Sequence, residues 1–88
     1  MATIATVLRD AANLTDHDPN HGAVSAILHA APSEYAAQTA MRTLARHLRY
    51  AQDRHPLSDL VRWAAMRTPE QIATELRGAA SAAERGDL

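Results

Sequence analysis

The chain has 88 residues, the size of one domain with a small core. Nine arginines and no lysine stand against ten acids, giving a formal net charge of −1, far from the basic totals of a chain that coats nucleic acid. The absence of cysteine excludes disulfides, thiolate nucleophiles and cysteine-based zinc sites, and no segment approaches the ~20 apolar residues of a membrane span.

Arg9 and Asp10 interrupt the N-terminal apolar stretch where a signal peptide needs continuity, so a soluble, cytoplasmic protein is expected. Ile4, Val7, Leu8, Ala11 and Leu14 recur at helical spacing and predict a first helix over about residues 3–14, with Thr3 as its N-cap. The polar run from Thr15 to Gly22 breaks that period. Val24, Ile27, Leu28 and Ala31 then predict a second helix over 22–31, which Pro32 terminates.

Ser33 followed by Glu34 is a helix start, a hydroxyl for the orphan amides and a carboxylate at the positive end of the dipole. The third helix is expected over 33–53, with Ala37, Met41, Leu44, Leu48 and Ala51 inward. His55-Pro56 ends the pattern, and Ser58 is expected to cap a fourth helix over 58–66. Its apolar side would hold Leu57, Leu60, Val61, Ala64 and Ala65, with Trp63 on the flank. Thr68-Pro69-Glu70-Gln71 is the strongest local signal: a threonine cap, proline at the first helical position and glutamine at the capping-box position. It opens a fifth helix over 69–84, with Ile72, Leu76, Ala79 and Ala83 on one face. The fold class is all-α, a single-domain bundle of about five helices. Small residues line it, so the helix axes can approach closely, and such a bundle is expected to pair with a second copy as a homodimer.

Three constellations bear on function. Asp16, His17, Asp18 and His21 gather potential metal ligands in one loop, but they match no metal-binding spacing and are ordinary turn residues, so no metal or cofactor is expected. Arg42, Arg46 and Arg49, spaced i, i+4 and i+7, share one side of the third helix with Tyr35, opposite the Leu44 and Leu48 face. Residues 42–55 hold four arginines against one aspartate, a local +3, whereas residues 1–41 hold one arginine against four acids, a local −3. That stripe reads either as a solvated face with an Arg49–Asp53 pair or as a docking surface for an acidic or phosphate-bearing partner. Trp63, the sole tryptophan, either packs against the fifth helix through the Arg67-Thr68 turn or anchors a partner. Ser25 and His29 lie i, i+4 with no orienting acid implied, so no catalytic residue is assigned and an enzyme is not expected.

The segments Thr6 to Ala12, Gly22 to Ala31 and Trp63 to Ala80, with Arg46-His47-Leu48 and the Arg67-Thr68-Pro69-Glu70-Gln71-Ile72 start, carry a resemblance. They resemble a family of small alanine-rich helical domains of unknown function from actinobacteria and their phages. The all-arginine, alanine-dominated usage fits such a GC-rich source. Two features depart from that family: Ala64-Ala65 replaces the polar pair that often follows its tryptophan, and the cysteine common in its second helix is absent. The resemblance implies source and fold and carries no activity. The expected function is a non-catalytic protein-interaction module, phage- or mobile-element-encoded, with Tyr35, Arg42, Arg46, Arg49 and Trp63 as partner-binding residues. The alternative is a small DNA-binding regulator with a helix-turn-helix-like arrangement, against which the near-neutral charge weighs.

Overall fold

The computed structural model describes residues 3–18, 20, 22–49 and 56–86. Among the described residues there are five helices and no strand: α1 (Ile4–His17), α2 (Ala23–Ala30), α3 (Glu34–His47), α4 (Pro56–Ala65) and α5 (Pro69–Arg85). The all-α bundle expected from the periodicity is the fold observed.

Local chemistry explains most boundaries. Thr3, extended, accepts the Thr6 N–H at 3.1 Å, and Ser33 accepts the Ala36 N–H at 3.1 Å, so both side chains satisfy orphan amides at helix starts. The capping box of α5 is complete: the Gln71 N–H donates to Thr68 Oγ1 at 3.1 Å and the Thr68 N–H to Gln71 Oε1 at 3.0 Å. Gly86 closes that helix at φ 75°, in the left-handed conformation glycine adopts without penalty.

Three boundaries differ from the sequence expectation. α1 runs on to His17, because Thr15 is fully buried and its hydroxyl donates back to the Ala11 carbonyl at 3.0 Å, which removes the polar group that looked like a helix stop. α3 stops at His47. Leu48 caps it, with its N–H on the Leu44 carbonyl at 2.9 Å, and Arg49 turns the chain at φ 64°. Ala51, Asp53 and the Arg49–Asp53 pair fall outside the described residues. α4 opens at Pro56, whose fixed φ suits the first helical position, so Ser58 lies within the first turn instead of capping it.

Among the described residues, α1 and α5 share the most extensive helix–helix contact. They run antiparallel: Arg9 pairs with Glu84, and Arg77 pairs with Asp16 about two turns further along. Between those pairs the interface is small. Ala11, Ala12, Ala79 and Ala80 have no exposed surface, and Leu8 and Leu76 on the same two helices are fully buried as well. α2, α3 and α4 complete the core with Ala26, Ile27, Ala40, Leu44 and Leu60. The end of α3 seats on α5 at Gly78, where a Cβ would come within 3.0 Å of the His47 ring, and His47 Nε2 lies 3.1 Å from a Glu75 carboxylate oxygen.

Truncating Leu8 to alanine should lower stability by about 2–5 kcal/mol, since the tight surroundings cannot collapse into the cavity. Thr68→Ala should remove about 1 kcal/mol through the lost cap. Urea unfolding followed by circular dichroism measures both, and equal losses would mean that the α5 cap, not the core, limits stability.

Candidate functional site

Counting from the core-facing residues Ala37, Ala40, Met41, Leu44 and Ala45, the opposite side of α3 carries Tyr35, Arg42 and Arg46. All three are exposed, Tyr35 by 80%. Thr39 and Thr43 turn their hydroxyls onto the carbonyls of Tyr35 and Thr39, each at 2.9 Å, so these two side chains are satisfied within the helix. Arg49 is exposed too, but it belongs to the turn after the helix, so the three-arginine helical stripe reduces to Arg42 and Arg46 with Arg49 beyond the helix end.

This face differs from the α1–α5 side in pairing. On the α1–α5 side the guanidinium of Arg9 holds Glu84, and that of Arg77 holds Asp16 and reaches Asn13 at 3.2 Å. Hydrogen bonding to Arg9 lowers the Glu84 carboxyl below the usual carboxylate range. Among the described residues, the guanidiniums of Arg42, Arg46 and Arg49 take part in no such pair.

Trp63 is placed differently from the anchor role. Only 7% of it is exposed, and its bulk joins the core beside Leu60, because α4 turns the Leu60 and Trp63 side inward. The remaining edge lines an open depression of about 510 Å³ with Leu48, Arg67, Gln71, Thr74 and Glu75, and the Arg67 guanidinium carbon stands 6.0 Å from the ring centroid. Trp63 and the α3 arginines therefore serve different surfaces.

The inward turn of Trp63 puts other residues outside. Val61 and Ala65, expected on the buried side of α4, are exposed, and so is Leu28 of α2, because α2 buries Ala23, Ala26 and Ile27 and leaves Leu28 to one side. The loop set dissolves as a cluster: Asp16 and His17 lie on α1, Asp16 is engaged by Arg77, Asp18 accepts the Asn20 N–H at 3.0 Å, and His21 falls outside the described residues. No group of three or more metal-ligating side chains forms among the described residues. Ser25 and His29 line a groove between α2 and α4 with no carboxylate among its lining residues.

No helix among the described residues is long and apolar enough to cross a membrane. No protein-family model matches the chain, and no curated protein and no solved structure matches it.

The Glu84 pair carries a sign that can be checked. A carboxyl whose folded value lies below its unfolded one adds stability above the unfolded value, and that stability is lost as pH falls through the folded value. Glu84→Gln should thus flatten the acid side of the stability profile below about pH 4.3, the ordinary glutamate value. Urea midpoints across that range measure it, and an unchanged acid limb would show that the pair adds nothing to folding.

Proposed function

We propose that this protein is a non-catalytic interaction module that receives an acidic partner protein on the outer side of α3. The observation that carries the reading is the contrast in pairing: Arg9 and Arg77 are held by the chain's own side chains, whereas Arg42, Arg46 and Arg49 are exposed and make no ion pair among the described residues. Arginine presents a rigid fork of donors suited to carboxylates. Tyr35 at the start of the same face supplies a flat, rigid apolar surface beside the charges.

Arg49 adds support. It is the only non-glycine residue at positive φ among the described residues, at a helix end where glycine is the usual occupant. A left-handed backbone costs an ordinary residue roughly 1–2 kcal/mol. Keeping an exposed arginine there fits a role outside folding. A phage or mobile-element origin, drawn from the family resemblance, belongs to the same proposal. So does pairing with a second copy, for which exposed Tyr35 and Met66 leave apolar surface.

Stability and binding should separate. Arg49→Gly should raise stability by up to about 1 kcal/mol while weakening partner binding. The triple reversal Arg42→Glu, Arg46→Glu, Arg49→Glu should change stability by less than about 1 kcal/mol and abolish binding through lost steering and direct repulsion. A poly-glutamate peptide titrated into labelled protein, with amide shifts followed by NMR, should perturb α3 in the wild type and leave the triple variant unmoved. Random duplex DNA is the parallel titrant. Micromolar DNA affinity that falls steeply with salt would favour the DNA-binding alternative, and a triple variant that still responds to poly-glutamate would move the site elsewhere.

A further inference from the structure

A glycine near the middle of α5 runs against helix propensity, since it gives up more backbone freedom than alanine would. Ala79, Ala80, Ala82 and Ala83 follow Gly78, so this helix otherwise fills its small positions with alanine. The reason for Gly78 lies on the neighbouring helix. A Cβ there would stand 3.0 Å from Nε2 and 3.2 Å from Cε1 of His47, the last residue of α3, so the ring edge uses the space a methyl group would take. The same ring is met from a second side. Its Nε2 lies 3.1 Å from a carboxylate oxygen of Glu75, three residues before Gly78 and therefore on the same face of α5.

Among the described residues no other side-chain pair ties α3 to another helix. The place of this one is what gives it consequence. His47 rests on α5 and Leu48 packs against the core, two consecutive anchors directly before Arg49. α3 closes there with the Leu48 N–H on the Leu44 carbonyl at 2.9 Å and the Arg49 N–H on the Arg46 carbonyl at 3.0 Å, Arg49 standing at φ 64°. Helix ends fray, and an arginine disfavours the left-handed conformation, so the turn needs support from outside itself. The two anchors supply it.

We infer that the seat of His47 on Gly78 and Glu75 is the positioning element of the α3 face: it locks the end of α3 to α5, holds Arg49 in its left-handed turn and so sets Arg46 and Arg49 relative to Arg42. His47, Gly78 and Glu75 are positioning residues, acting through the arginines. The consequence for binding rests on the reading of the α3 face given above. The conformational consequence, that the seat holds the turn, does not.

The test is amide hydrogen exchange on the full chain, read by NMR, followed by the poly-glutamate titration. In the wild type the Leu48 and Arg49 amides should be protected, and Arg49 should show the strong contact between its own amide and α protons that marks a positive φ. In His47→Ala that contact should weaken and both amides should lose protection at least about tenfold, while Met41, Arg42 and Leu44 change by less than about threefold, the pattern of a local opening. Gly78→Ala should raise the urea midpoint more in the His47→Ala background, where its methyl group meets no ring, than in the wild type. With poly-glutamate, amides around Arg42 should still shift in His47→Ala, those of Arg46 and Arg49 should shift less, and the dissociation constant should rise about threefold or more. A wild type that ignores poly-glutamate would remove the α3 reading and with it the seat's role in binding, while exchange still decides whether the seat holds the turn. The inference is overturned by unprotected Leu48 and Arg49 amides in the wild type, or by a protection loss in His47→Ala spread evenly along α3, which marks global destabilisation. An effect of Gly78→Ala that is the same with and without His47, or a poly-glutamate response unchanged in His47→Ala, overturns it equally.

Discussion

Between the two ion pairs that join α1 to α5, small buried residues predominate: Ala11 and Ala12 on one helix and Ala79 and Ala80 on the other have no exposed surface. Alanine contributes little transfer free energy by itself, but it lets two axes come close enough for backbone and Cβ atoms to pack at interior density. Arg9–Glu84 and Arg77–Asp16 bracket that stretch and fix its antiparallel register. Being exposed, these pairs select the alignment more than they strengthen it. α2, α3 and α4 have their inner faces defined by the wall that α1 and α5 create, with Ile27, Leu44 and Leu60 completing the layer.

The same arrangement sorts the charges. Arg9 and Arg77 stabilise the register and are occupied, so their fields are largely cancelled locally. The α3 arginines have no role in this wall, and Arg49 stands in a backbone conformation that disfavours it. The apolar excess is sorted too. Trp63 fills the inner side of α4, and the residues displaced from that side, Val61 and Ala65, face Leu28 across a cleft. A cationic face and an apolar cleft thus arise from one division of labour, in which the small residues build the scaffold and the larger exposed ones are left for contact with other molecules.

The helices themselves were legible in the sequence because their signals are local. Thr3, Ser33 and Thr68 cap as expected, and the proline and glutamine after Thr68 fix the start of α5 to the residue. What was not legible depends on packing. The stop of α3 at His47 has no glycine or proline to announce it, since Arg49 takes the left-handed position. Thr15 has the composition of a loop residue, but it is buried with its hydroxyl on the Ala11 carbonyl, and the helix runs on past it. The phase of α4 differs from the sequence expectation by about one residue because Val61 and Ala65 are as apolar as Leu60 and Ala64, and the choice between them is made by where a tryptophan fits. At the candidate site, the shared side of Tyr35, Arg42 and Arg46 followed from helical period alone. That Arg9 and Arg77 are paired, while Arg42, Arg46 and Arg49 make no ion pair among the described residues, required the register of α1 against α5, which links residues far apart in the chain.

The measurement that bears most directly on this account is the stability of proteins in which Ala12 or Ala80, each without exposed surface, is enlarged to leucine. If close approach of α1 and α5 organises the fold, the added side chain must push the axes apart or force off-rotamer packing, and urea unfolding should show a loss of about 1–3 kcal/mol or more at either position. The same enlargement at exposed Ala65 should leave stability nearly unchanged. Ala12→Leu and Ala80→Leu proteins as stable as the wild type would contradict the account, because the interface would then have room that close packing of alanines does not leave.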